Sequence, residues 1–462
     1  MRQITIRDGH LSTDRISMII ENVFNLGVRH TPDGQQHKVA LKASALTTHG
    51  VIVGATGSGK SGLIIGMVEE LVRMGIPSFL IDIKGDIANV ALQPDYVRDK
   101  MAIRFLTPGG SHGEAVNIFS GIENPERITS TVTTIFKLMG VKADVSSTQH
   151  AFLSTIIQWR IKQGKASTIV DVLNDVADPP FEYLGMLPLD EVFPKASRGK
   201  LAARLNNLLA APAFQAWREG VAIDIDLMLK CPEGKVPVVI YSVAHLVDDS
   251  ERTFAISMFL EEMLSWMRKQ PGTNDLKTCL LLDEMYGVMP PHPANPPTKK
   301  PLLTILKQAR AHGLGVVICS QNPMDLDYKG MSNAQTWLVG RLQTQNDRAR
   351  VVNGICAATA ADSRSIESSI ARLQPRQFLL VRPTGTAVFN SRDCTAELRG
   401  PMSPIEIKKL FTMGVIEEVM SLQLLQLKME EARAQFQRNP TDDNWRRVEN
   451  AQHAIDAFTV NA

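Results

Sequence analysis

Cysteine is scarce in this chain of 462 residues: Cys231, Cys279, Cys319, Cys356 and Cys394 are odd in number, scattered, and never form a CxxC pair. That excludes a disulfide framework and offers no zinc-ligand pattern. Cys279 and Cys319 stand in apolar strand-like runs, where a small buried hydrophobe is the better reading. Long hydrophobic runs are also missing. No stretch of 18 apolar residues occurs and no charged-then-apolar leader follows Met1, so neither a membrane span nor a secretory signal is expected, and a cytoplasmic location is. Strong net charge is absent too. A balance of +2 is far from the basic excess that marks a nucleic-acid protein by itself, so composition leaves the partner open. The histidines near the start, His10, His30, His37 and His49, have no metal-ligand spacing.

The 44% hydrophobic and 21% charged residues describe an ordinary globular protein, long enough for several average domains or one large α/β domain with insertions. Its most informative segment is Gly54-Ala55-Thr56-Gly57-Ser58-Gly59-Lys60-Ser61, reached through the apolar run Gly50-Val-Ile-Val53. The pattern reads as a strand entering a phosphate-binding loop. Backbone N–H groups from Gly54 to Gly62 can wrap phosphates, Lys60 can reach the β and γ oxygens, and the Ser61 hydroxyl can hold Mg²⁺. The apolar spacing of residues 62–74 predicts a buried helix ending at Gly75 and Pro77, so the loop opens a helix whose N-terminal dipole faces the phosphates. A nucleotide bound through its phosphates, with Mg²⁺, is the expected ligand.

From Gly50 onward, strand-like and helix-like segments alternate, which predicts an α/β fold with a mostly parallel sheet and helices on both faces. Expected strands are Val51–Val53, Ser78–Asp82, Ile103–Leu106, Val236–Val243, Thr278–Leu282, Gly315–Cys319, Thr336–Leu342 and Gln377–Val381. Residues 1–45 read as a short β-rich lead-in with the polar turn Thr31–Gln35, and residues 46–400 as the main domain. Within it, about 110–235 reads as an inserted helical subdomain, carrying Glu126–Met139, Thr148–Ile161 and Arg198–Leu209. Residues 401–462 form a helical segment with two apolar faces, one of Ile416, Val419, Met420, Leu424 and Leu427, the other of Trp445, Val448, Ala451, Ile455 and Phe458. These helices dock either on their own domain or on a neighbouring subunit.

Binding becomes hydrolysis when a metal-holding acid and a water-activating group join the loop. The run Cys279-Leu-Leu-Leu-Asp283-Glu284 supplies both: Asp283 leaves a buried strand to anchor Mg²⁺, and Glu284 can activate the attacking water. The next strand ends in Gln321, whose amide can donate to a γ-phosphate and accept from water. Arg310, in the last turn of a helix before that strand, either reaches a phosphate across a subunit boundary or favours its own helix C-terminus. Between Lys299 and Arg350 there are eight Lys or Arg against three Asp, a solvated face or a polyanion contact. The segment Pro290–Pro301, ending in Lys299-Lys300, is either a loop touching DNA phosphates or a stiff connector.

Taken in order, the GATGSGKS loop, Asp82-Ile-Lys-Gly-Asp86, the LLLDE strand, the Pro290–Pro301 loop and ARAHGLGVVICSQNPMDLDYKG resemble the additional-strand, RecA-like P-loop ATPases of the HerA/FtsK group, most closely bacterial HerA-like DNA translocases. The resemblance covers roughly Leu41 to Pro401. It implies ATP as the nucleotide, phosphate and magnesium roles for Lys60 and Ser61, the second metal acid for Asp283, the catalytic base for Glu284 and the sensor for Gln321. Arg310 matches the arginine before the sensor strand, a finger acting in trans, with Arg341 as a second candidate. Asp82 and Asp86 match an acid-x-x-Gly-acid pattern whose role the resemblance leaves open. It further implies a homohexameric ring that hydrolyses ATP while moving or unwinding double-stranded DNA, in some members with a nuclease or other effector.

One departure is plain. Family members often carry a complete β-barrel before the P-loop, whereas about 45 residues precede it here, so the barrel is either reduced or supplied by another protein. Two other readings stay open: a regulatory or scaffolding ring ATPase that controls an effector, and a conjugative secretion-type ATPase.

Overall fold

The structure, a computed structural model, describes residues 22–460 apart from 32, 118–124, 142–143, 165–168, 212–213, 215, 218–219, 328–329, 360, 418–428, 430–431, 434 and 438. Runs such as Gly50-Val-Ile-Val53 and Ser78-Phe-Leu-Ile-Asp82 are apolar at nearly every position, so a strand made of them must be covered on both faces. They lie in the middle of one large sheet. In chain order its strands and the main helices are β1 (Val23–His30), β2 (Gln36–Lys42), β3 (Gly50–Val53), α1 (Lys60–Arg73), β4 (Ser78–Asp82), β5 (Met101–Pro108), β6 (Glu114–Asn117), α2 (Pro125–Leu138), α3 (Thr148–Lys162), α4 (Ile169–Ala177), α5 (Lys195–Ala210), β7 (Val221–Ala222), β8 (Val236–Ser242), α6 (Asp249–Lys269), β9 (Thr273–Asp283), α7 (Lys299–Gln308), β10 (His312–Ser320), β11 (Thr336–Val339), α8 (Gln345–Thr359), α9 (Ser363–Ala371), β12 (Gln377–Arg382), β13 (Gly385–Ser391), α10 (Pro404–Thr412) and α11 (Asp442–Val460).

The sheet order is β2-β1-β13-β12-β11-β3-β10-β9-β4-β8-β5-β6-β7. From β11 to β7 every pairing is parallel, and from β11 outward to β2 every pairing is antiparallel. Because side chains alternate along a strand, each central strand feeds two cores. Val51, Val53, Leu280, Leu282, Val316 and Ile318 join Ile128, Phe136, Phe254 and Phe259 from α2 and α6 on one face. Ile52, Leu281 and Val317 join Leu63, Ile64 and Ile65 of α1 on the other. The fold is therefore the mostly parallel α/β architecture expected, and a strand occurs at each expected place, with Ile103–Leu106, Thr278–Leu282 and Gly315–Cys319 extended at both ends and Thr336–Leu342 ending at Val339.

Two features differ from expectation. Segment 110–235 is mainly helical, but its short strands β6 and β7 continue the main sheet beyond β5 in parallel, and Val116, Ile223 and Ile225 are buried in the common core. At the other margin, the β1–β2 hairpin is turned by Thr31 and Gly34 and joins β13, with Gly27 opposite Ser391. The lead-in thus widens the main sheet.

Past residue 401, Ile407, Leu410, Val415 and Ile416 pack into the core that holds Met101 and Ile103. The Glu417 N–H donates to Ile103 O at 2.7 Å and Lys235 Nζ pairs with its carboxylate at 2.5 Å. This part of the C-terminal segment docks on its own domain. Val419, Met420, Leu424 and Leu427 lie outside the described residues.

His49, at the entry to β3, is 2% exposed, with φ of 60°. Its Nδ1 accepts from the Val316 N–H at 3.2 Å, which leaves Nε2 to donate to Leu306 O at 3.0 Å. The ring ties β10 and α7 to the start of the strand that leads into the P-loop. Burial holds its pKa down at about 4, against a smaller opposing pull from Leu306 O. Above pH 6.5 the ring is neutral folded or unfolded and contributes no pH dependence. As pH falls from 6.5 towards 4 the unfolded chain takes the proton first, and stability is lost, roughly 3 kcal/mol in the limit. Thermal melting is expected to show a steeper loss of Tm over this window in the wild type than in His49→Gln, which cannot titrate; equal slopes would remove His49 as the cause.

Candidate active site

Three adjacent parallel strands end together. Val53 of β3 pairs with Ser320 of β10, and Cys319 of β10 with Asp283 of β9, so the P-loop, Gln321 and the Asp283–Glu284 pair share one edge of the sheet. Ligands in open parallel sheets bind at this C-terminal edge. The P-loop is shaped by close approach. A Cβ on Gly54 would lie 2.7 Å from Ser58 Oγ and 3.3 Å from Gly340 Cα, and Gly59 has φ of 96° at the N-cap of α1. The loop is also stitched to its neighbours: the Gly54 N–H donates to Ser320 O at 3.3 Å and the Ala55 N–H to Arg341 O at 2.8 Å.

Lys60 is 6% exposed and donates to Gly54 O at 2.5 Å and Ala55 O at 3.0 Å. Burial pushes its ammonium below the usual lysine range, with Cys319, Asp283 and Glu284 opposing. A buried cation at a helix N-terminus, inside a ring of backbone groups, is an anion-binding arrangement. Across the loop, the Thr56 hydroxyl donates to Gln321 Oε1 at 2.7 Å, which seats this amide against the P-loop.

The carboxyl groups are crowded. Asp283 of β9 lies in register beside Asp82 of β4, and Asp82 is fully buried. Burial, then Asp82, Asp86 and Glu284, push the Asp283 carboxyl up to about 7, with Lys84 opposing. Asp82 rises to about 6, again chiefly through burial, while N–H groups of Gly85 at 2.7 Å and Ala88 at 3.1 Å pull it back. Those two bonds give Asp82 its role: it anchors the turn that follows β4. Glu284 has φ of 78°, rare for a residue with a side chain. Burial alone would raise its pKa, but Lys84, the Met285 N–H and the Ser320 hydroxyl take it below the usual range.

A magnesium ion suits this donor set. Among the described residues no group of three or more His, Cys, Asp or Glu could hold a metal by itself. Ser61 opens α1 and Asp283 is a buried acid crowded by like charge, a site that gains from a cation. Mg²⁺ is commonly held by one or two protein oxygens, with phosphate and water completing its shell.

The remaining predicted residues separate. Arg310 is exposed, in a short 3₁₀ turn (Ala309–Ala311) before β10; β10 spans nine residues, which sets Arg310 about 30 Å along the strand from the P-loop edge. Arg341 is exposed as well, but its carbonyl supports the P-loop of its own chain. Lys300 is exposed in the first turn of α7.

Lys299 is a correction. It is 7% exposed, pairs with Asp327 at 2.8 Å and donates to Pro290 O at 2.8 Å and Ala294 O at 3.4 Å. The proline-rich segment is short of backbone N–H donors, and this ammonium satisfies two of its carbonyls, so Lys299 is an internal brace with no face for DNA.

Two residues at the site escape sequence reasoning. Lys84 Nζ pairs with Glu284 Oε2 at 2.7 Å; its signal was its place between Asp82 and Asp86. Arg376, with φ of 65°, donates its N–H to Ser58 O at 3.0 Å and lays its side chain over Gly59. No local pattern marks it.

Among solved structures, the chain is similar to VirB4 of Thermoanaerobacter pseudethanolicus, at 15% identity and TM-score 0.55 over 80% of this chain and 96% of that one. It is similar to the unbound bacterial conjugative coupling protein TrwBdeltaN70, at 14% identity and TM-score 0.53 over 79% and 89%, and to plasmid coupling protein TrwB in complex with ADP and Mg²⁺, at 14% identity and TM-score 0.51 over 79% and 90%. These likenesses show the fold, a RecA-like α/β architecture with a large, mostly parallel sheet. No curated protein matches the chain. Among the described residues, no helix is long and apolar enough to cross a membrane. The family described as helicase HerA-like C-terminal matches residues 28–344, and the chain belongs to it.

Proposed function

We propose that this protein hydrolyses Mg-ATP in a homohexameric ring and uses the cycle to move along, or unwind, double-stranded DNA. What carries the reading is the meeting of Lys60, Asp283, Glu284 and Gln321 at one edge of three neighbouring strands, in a chain of the HerA-like family. Ser61 and Asp283 would hold Mg²⁺, which when bound screens the charge of the β and γ phosphates. Lys60 leaves its loop carbonyls for the γ-phosphate oxygens. Glu284 takes a proton from the attacking water, and Gln321, turned by Thr56, orients that water and reports the γ-phosphate. A TrwB structure holds ADP and Mg²⁺, which supports the choice of cofactors. Glu284→Gln is expected to cut turnover by roughly 10²–10⁴ while equilibrium binding of ATP persists, whereas Lys60→Ala loses binding itself; near-normal turnover in Glu284→Gln would remove it as the base.

The positions of the arginines support the ring reading. Arg310 is too far from its own P-loop to serve it, so a finger role requires a neighbour, and such a residue is worth roughly 10³–10⁵ in rate. Arg310→Ala should lose most turnover with ATP binding intact, and mixing it with Lys60→Ala subunits should restore part of the activity. Full activity in Arg310→Ala alone would shift the role to Arg341.

Similarity to VirB4 and TrwBdeltaN70 favours one second reading, a conjugative secretion-type ATPase; a ring ATPase that controls an effector, such as a nuclease, is the other. ATP turnover with and without long double-stranded DNA, alongside native mass, separates these from a translocase. A translocase is faster with DNA and sixfold in mass. Lys300→Ala should then reduce the salt slope of DNA binding by about one counterion; an unchanged slope would take Lys300 off the DNA path.

A further inference from the structure

Both carboxylate oxygens of Glu284 are engaged. Oε1 accepts from the Met285 N–H at 3.0 Å and the Ser320 hydroxyl at 3.2 Å, groups of its own sheet edge. Oε2 accepts from Lys84 at 2.7 Å, across 200 residues of sequence. A general base needs a lone pair turned to its water, and Lys84 covers the oxygen that no neighbouring strand group holds. The contact is shielded on one side: the Glu284 side chain is 6% exposed and that of Lys84 35%.

The loop that carries Lys84 is braced from two directions. Asp82 holds it from within through the N–H groups of Gly85 and Ala88. From the C-terminal side, the Met402 N–H donates to Gly85 O at 3.3 Å and Pro401 lies against Gly85, leaving 3.3 Å for a Cβ. The Asn89 amide donates to Gly400 O at 2.8 Å and accepts from the Arg399 N–H at 3.2 Å. The position of Lys84 is therefore shared with the segment that leads into α10.

Resting on the reading of Glu284 as the base, we propose that Lys84 is a positioning residue that latches Glu284 in a resting pair, and that movement of segment 399–402 against the 84–89 loop releases the carboxylate for hydrolysis. Contacts made by the C-terminal helices then set the rate without touching the nucleotide.

The test is steady-state ATP turnover of the full chain without any partner. Lys84→Met is expected to raise kcat about fivefold or more with KM for ATP unchanged, because the latch acts on the chemical step and leaves binding alone. Lys84→Arg, which keeps the pair, should return the rate to that of the wild type. Asn89→Ala, which loosens the brace, should raise kcat in the same direction, and it reads the same prediction should Lys84→Met not fold. An unchanged or lower kcat in a folded Lys84→Met, with ATP binding intact, overturns the latch. Glu284→Gln measured in parallel keeps the two ideas apart: turnover surviving there overturns the base assignment, and turnover lost there leaves the Lys84 result to decide the latch alone.

Discussion

Two carboxyl groups, Asp82 and Asp283, stand side by side at the ends of adjacent parallel strands, and the rest of the site is arranged around that fact. Burying one carboxylate is costly; burying two in register is more so unless cations or hydrogen-bond donors answer them. Asp82 is answered by backbone N–H groups and so becomes a turn anchor. Asp283 has Lys84 as its favourable charge and three acids against it. A divalent cation at this edge would relieve the crowding, and the adjacent Glu284 is answered by Lys84.

The same edge explains why the P-loop needs so much support from elsewhere. Its strand is four residues long, too short to define a loop geometry by itself. The loop donates hydrogen bonds to Ser320 O on one side and Arg341 O on the other, and Ser58 O accepts one from the Arg376 N–H. Downstream, Arg392 pairs with Glu69 at 2.7 Å and the Thr395 N–H reaches the same carboxylate at 2.6 Å, so the chain after β13 straps α1 from behind. Segments distant in sequence thus share the hydrogen bonds of this edge.

Much of this was legible in the residues. Buried parallel strands are unbroken apolar runs, which is why Ser78–Asp82 could be read to the residue, and phosphate loops and paired acids carry spacing that chemistry imposes. The turn Thr31–Gln35 marked the β-rich lead-in, but its pairing with β13 and the short strands β6 and β7 were hidden because pairing with a remote sheet edge leaves little local trace. Lys299 misled for a related reason: beside Lys300 it looks like a surface charge, and only the folded positions of Asp327 and Pro290 turn it inward. Lys84 and Glu284 meet across 200 residues, a contact no window of sequence contains.

The two sheet neighbours of the P-loop strand are β10 and β11, far along the sequence, so Val53 pairs with Ser320 and Val339. Contacts of such long sequence separation form late, because the entropy of closing the loop must be met before they stabilise anything. During synthesis the loop residues leave the ribosome before the residues that shape them. Their hydrogen-bond partners are Ser320, Arg341 and Arg376, so a nascent chain cut short before these carries the loop's sequence without the contacts that give it its form.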